Sequence, residues 1–131
     1  MILRQSSFSA NDGSWHHICG TWKSTDGSWA LYKDGSVKAQ GRGLKTGSKI
    51  RAGGVLVLGQ DQDKEGGGFQ ASQAFVGRMT SVDVWSKVLP AQEISRMSRS
   101  CGLGYGDVMR WSDVRGRNRH NVGLEYSPKC T

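Results

Sequence analysis

An antiparallel β-sandwich is the fold class this sequence predicts. Nineteen glycines stand against two prolines, with five tryptophans spread along the chain, and this composition favours short strands joined by tight turns over long helices. Several segments alternate apolar and polar residues with the period of a strand. Helix signals are confined to one stretch near residue 90, and a single short helix in a strand-rich chain points to sheet packed on sheet. The 131 residues suit one domain, 1–131, large enough for a real core and too small for two ordinary ones.

The first strand is expected in WHHICGTWKS at 15–24, with Trp15, His17, Cys19 and Thr21 on one face and His16, Ile18, Gly20 and Trp22 on the other. After the turn TDGS, a strand from Trp29 to Lys33 runs into Asp34–Gly35, the dipeptide signal of a tight hairpin, and 37–41 returns as its partner. A glycine-rich, basic connection, GRGLKTGSKIRAGG, leads to VLVLG at 55–59, which reads as a fully buried strand. Residues 73–89 read as one long strand or two hinged at Gly77, with Met79, Ser81, Asp83 and Trp85 on one face and Thr80, Val82 and Val84 on the other. The helix falls in LPAQEISRMS, where Pro90 sits near the first helical position, Glu93 in the first turn, and Ile94 and Met97 three residues apart.

No apolar run approaches the ~20 residues that span a bilayer, so membrane insertion is not expected. The N-terminus MILRQSSFSA lacks an apolar signal core, which leaves a cytosolic chain or a piece of a larger exported protein. The formal net charge of +7 suits anionic partners. The basic residues are scattered, however, and the densest cluster, RGRNRH at 115–120, reads as a solvated loop, with a polyanion contact as the other reading. The tryptophans read as core or sheet-face residues rather than base-stacking platforms, and nucleic acid is not expected as a partner. The three cysteines lack the C-x-x-C spacing of a zinc ribbon or redox motif. Cys101 and Cys130 bracket the last segment and can close a disulfide loop of roughly 30 residues, leaving Cys19 unpaired.

GQDQDKEGGG, at 59–68, is the chemically richest stretch. Counted from Asp61, DQDKEG starts like an EF-hand loop, with oxygen-bearing side chains at the first, third and fifth positions and glycine at the sixth, but the twelfth position is Ser72 and a strand is expected ahead of it. A non-helical calcium site stays open, because Asp61, Asp63, the Gln62 carbonyl and the amides of Gln70 and Gln73 can converge if the glycines fold the loop back. Asp61, Asp63 and Glu65 also alternate as catalytic carboxylates would, although three glycines leave Glu65 at the edge of a turn. A plain polar turn is the third reading. His16 and His17 point to opposite faces and cannot form one metal site by themselves, while Cys19 beside His17 reads as packing. No nucleophile-elbow motif occurs.

HICGTWKS at 17–24 fits H-x-C-x-[ST]-W-x-[ST], and LGQDQD, GGGF, QAFVG, VDVW and LPAQEI follow it in order. In these motifs the chain resembles the pentraxin family from Gly13 to Met97. The resemblance implies an antiparallel jelly-roll sandwich of the concanavalin or laminin-G type with one short α-helix, secreted, lectin-like, binding calcium, often assembled into homo-oligomeric rings, and not an enzyme. Its partners would be phosphorylated, carbohydrate or other anionic extracellular ligands bridged by calcium. The implied ligands are Asp61, the Gln62 carbonyl, Asp63 and Gln73. Gln70 stands where the family usually has an acid, which implies a weaker second ion. The resemblance further implies a domain incomplete at its N-terminus, with the partner of Cys19 in the missing part. A metal-independent module for heparan-type polyanions and a glycoside hydrolase of similar fold are the alternative expectations.

Overall fold

Asp34 and Gly35 both adopt left-handed φ, 52° and 76°, which is the backbone a two-residue hairpin turn needs to match the twist of its strands. Around this turn β2 (Ser28–Lys33) pairs antiparallel with β3 (Ser36–Gly41), and β1 (Ile18–Lys23) pairs antiparallel with the other edge of β2. The structure, a computed structural model, describes residues 9–100, 104–114 and 122–125. Two compact units divide it: Lys49–Thr80, and the sequence up to Ser48 together with that from Ser81.

In the unit holding the sheet, the expected alternation is present. Cys19 and Thr21 are half-buried while Ile18 and Gly20 are exposed, and Cys19 lies opposite Tyr32 across the β1–β2 ladder. α1 (Ala91–Met97) supplies the other side of the core. Tyr32, Leu89 and the fully buried Ile94 form its centre, with Cys19, Ala30, Trp85 and Met97 packed against them. Pro90 stands just outside α1 in extended conformation, and its carbonyl accepts from Glu93 and Ile94 N–H at 3.0 and 3.1 Å. A proline is well placed there because it has no N–H to leave unpaired. Trp22 and Trp29 face each other across the ladder, half-buried, and Trp22 Nε1 donates to the Leu44 carbonyl at 2.7 Å. Trp15 departs from the expected core role and is 46% exposed.

Several expected elements are absent. Residues 55–59 form no strand, and Val55 and Leu56 are exposed. Their backbone acceptors go elsewhere: the Val55 carbonyl takes the Gln62 amide and the Gly59 carbonyl takes Phe75 N–H. A short apolar run needs neighbouring strands to become a buried strand, and within Lys49–Thr80 none of the described residues supplies a ladder. The long strand at 73–89 is likewise missing. Gln73 closes a 3-10 turn (Ala71–Gln73), Ser81 takes a left-handed φ of 54° that breaks any extended alternation, and only Val84 is bridged, antiparallel to Met109. A second helical turn, α2 (Trp111–Val114), joins the single helix expected. No helix among the described residues is long and apolar enough to cross a membrane.

Candidate metal centre

Glycines shape the loop that carries the acids. Gly59, Gly66 and Gly68 all have left-handed φ, at 85°, 64° and 76°, so the chain turns sharply after VLVL and again at the loop tip. Lys64 and Gly67 bridge the two legs through N–H···O bonds of 3.3 and 3.0 Å. Gly68 lets the returning leg pass Asp63 closely, since a Cβ there would lie 2.7 Å from that of Asp63.

The return brings together residues that are far apart in sequence. Gln70 Nε2 donates to Asp63 Oδ2 at 2.8 Å, and Gln73 Nε2 reaches Asp61 Oδ2 at 3.5 Å. Asp61 Oδ1 also accepts from Gln62 N–H at 3.0 Å. Asp61, Asp63, Gln70 and Gln73 therefore share one small region, while Glu65 is exposed near the loop tip and takes no part in these contacts. Gln62 contributes differently. Its side-chain amide is spent on the backbone, donating to the Val55 carbonyl at 3.0 Å and accepting from Gly66 N–H at 2.8 Å, which leaves its main-chain carbonyl as the group it can offer a ligand.

Gln60 went unnoticed in the sequence. Its Nε2 donates to the Gln70 carbonyl at 3.0 Å, and its Oε1 is buried with no hydrogen-bond partner. The signal that could have found it is the alternation Q-D-Q-D itself, because a long amide beside each acid can reach the opposite leg of a folded loop.

Two carboxylates, a main-chain carbonyl and two side-chain amides make an all-oxygen donor set, which fits a hard divalent cation such as calcium. Gln70 and Gln73 present N–H to the acids, so each must turn its amide oxygen inward to serve as a ligand. Among the described residues there is no cluster of three or more His, Cys, Asp or Glu side chains suited to a metal, so the donor set here consists of two carboxylates completed by neutral oxygens.

The two histidines, just ahead of β1, have different surroundings. His16 lies between two carboxylates, with Nδ1 2.8 Å from Asp34 and Nε2 2.9 Å from Asp12, and those contacts raise its pKa above the ordinary imidazole value, Asp12 contributing most. His17 is the opposite case: burial lowers its pKa, and its Nδ1 is buried without a partner. Burial also pushes the free Cys19 thiol up, away from the thiolate that nucleophilic chemistry needs. Cys101, Cys130 and the basic cluster at 115–120 lie outside the described residues.

The Pentaxin family model matches residues 3–125. The sushi, von Willebrand factor type A, EGF and pentraxin domain-containing protein 1 of Rattus norvegicus is 46% identical over 107 residues, covering 80% of this chain and 3% of that protein. Neuronal pentraxin-2 of Homo sapiens is 44% identical over 103 residues, covering 79% of the chain and 24% of that protein. Among solved structures, the native heptameric SAP-like pentraxin of Limulus polyphemus superposes with a TM-score of 0.70 at 36% identity, over 76% of this chain and 46% of that one. The antiparallel, mostly β architecture with few helices matches the jelly-roll-like fold of that neighbour. The chain thus spans less than half the length of each of these three proteins.

Proposed function

The chain belongs to the pentraxin family, and from that premise we propose that it is an extracellular, non-enzymatic recognition module that holds calcium in the 61–73 loop and uses it to engage anionic ligands. The convergence of Asp61 and Asp63 with Gln70 and Gln73 carries the reading, because residues up to twelve positions apart are folded into one oxygen-rich region. Asp61 and Asp63 supply the charge, the Gln62 carbonyl and the two amides supply neutral oxygens, and bound calcium supplies a cationic bridge to a ligand's phosphate, carboxylate or vicinal hydroxyls. Phosphorylated and carbohydrate ligands are the classes this chemistry selects.

The reading extends to the whole chain. A single partial domain, 1–131, has in its favour a family match over residues 3–125, which includes parts of both compact units. Secretion and a Cys101–Cys130 disulfide go together, since an oxidising compartment is where such a bridge persists. Assembly into a homo-oligomer has the heptameric Limulus structure as its precedent.

Calorimetric titration of the 131-residue chain with calcium is the test. Binding in the ~0.1–1 mM range of extracellular calcium modules is expected. Asp63→Asn should abolish it and Glu65→Gln should leave it nearly unchanged. Absence of heat, with the same melting temperature in calcium and in chelator, overturns the proposal.

The net charge of +7 favours one second reading, a metal-independent module for heparan-type polyanions. Retention on heparin that falls steeply with salt and ignores chelator would select it over calcium-dependent recognition.

A further inference from the structure

We infer that Gln70 does at Asp63 what a cation would otherwise do, so that the acidic loop keeps its shape without an ion and the residue at position 70 sets how strongly the loop requires one. The second half of this inference rests on the calcium reading, while the first half stands on the loop geometry alone.

Asp61, Asp63 and Glu65 place three like charges within five residues of a loop that is folded tightly enough for Gly68 to pass against Asp63. All three are exposed to water, and a donor or cation that faces one of them offsets part of the repulsion from its neighbours. At Asp63 the facing group is the Gln70 amide, 2.8 Å away. At that separation the amide must present its NH2, because the alternative orientation sets two acceptors face to face.

The strut is not free to drift. Gln60 Nε2 holds the Gln70 carbonyl at 3.0 Å, and Gln62 ties the loop's near leg to Val55 and its tip to Gly66. Asp61 is satisfied less firmly, with a backbone N–H at 3.0 Å and Gln73 only at 3.5 Å, so the residue at 70 is the main side-chain brace.

A glutamate at 70 would have the same length and would set a carboxylate where the amide now donates. Two carboxylates that close cannot both remain ionised without a cation or a proton between them. Glutamine at 70 therefore exchanges ion affinity for order that is built into the loop. Binding calcium here requires the amide to be turned over and its bond to Asp63 to be given up.

The test uses the 131-residue chain and its Gln70→Glu and Gln70→Ala variants. Hydrogen exchange is read at Gly66 N–H and Gly67 N–H, bonded to Gln62 Oε1 and the Lys64 carbonyl, in chelator and in calcium, beside a calorimetric calcium titration. In the unsubstituted chain, exchange at the two amides should be nearly the same with and without calcium. Gln70→Glu should exchange about tenfold faster in chelator, recover in calcium, and bind calcium about tenfold more tightly, since added ligand charge is what tunes such sites. Gln70→Ala should exchange faster under both conditions and bind no tighter.

Unchanged exchange in both variants overturns the strut, whatever the titration shows. Faster exchange without tighter binding by Gln70→Glu overturns the role in ion affinity. If no protein takes up calcium but both variants exchange faster in chelator, the calcium reading fails and the strut stands.

Discussion

His16 shows how much one side chain decides here. A neutral imidazole has a single N–H, yet both ring nitrogens face carboxylates, at 2.8 and 2.9 Å, so the arrangement is satisfied only by the imidazolium. The side chain is only 14% exposed, and Lys33 is the nearby cation, 4.0 Å from Asp12. Because His16 has a raised pKa, its contribution to stability is complete below the ordinary value of 6.5 and is lost as pH rises through the folded value. His17 has a lowered pKa, so the folded state loses stability as pH falls from 6.5 towards its folded value. Together the two histidines place a stability maximum near pH 6.5. Melting temperatures measured from about pH 5 to about pH 9 should fall on both sides of it. His16→Ala should flatten the alkaline limb and His17→Ala the acid one. At lower pH a third effect enters: Asp12, held below 3.8 chiefly by its bond to His16, gives up its share as pH falls through its depressed value.

At the scale of elements, the hairpin turn and the helix are one mechanical unit. Gly35 needs its left-handed φ of 76°, and a Cβ there would stand 2.6 Å from Ser98 Oγ and 3.0 Å from Ser95 Cα at the end of α1. Gly35→Ala should destabilise the fold by about 1–2 kcal/mol from backbone conformation alone, with the clash added, read as a lower denaturant midpoint at unchanged slope. An unchanged midpoint would contradict the left-handed turn, and a loss no larger than the backbone cost would mean that α1 does not pack on it. Gly106 is constrained by space alone beside the Val84–Met109 bridge, where a Cβ would lie 2.5 Å from the Val84 carbonyl oxygen. The hairpin and α1 were legible in the sequence because their signals are local: an Asp-Gly turn, period-two alternation, and a proline ahead of a spaced Ile–Met pair. The segments 55–59 and 73–89 are not strands despite their apolar runs, because such runs state that burial is wanted without stating whether a partner strand exists.

For the whole molecule, exposed apolar surface is the governing feature. Only Tyr32, Leu89 and Ile94 are buried apolar side chains among the described residues, and of these Ile94 alone is fully buried, whereas Val76 is 93% and Ile50 87% exposed. Among the described residues the three-stranded sheet has β1 and β3 as edges, each paired on one side only. Unpaired edges and exposed apolar side chains promote association between copies. Light scattering should therefore rise with protein concentration, and the charge substitution Val76→Lys should lower it roughly twofold or more. Scattering that is flat with concentration would contradict this.

Local chemistry, then, carried the family, the hairpin, the helix and the identity of the acidic loop, since motif residues and turn dipeptides act over a few positions. Even the loop's ligand candidates could be named, because oxygen-bearing side chains and glycines are visible as such. Tertiary structure alone decided which of them meet. The amide of Gln70 reaches Asp63 only because three left-handed glycines fold the chain back, and Gln60 and Gln62 act as braces only in that folded loop. Whether VLVL becomes a strand was equally a tertiary matter, since a ladder is a property of two segments and not of one.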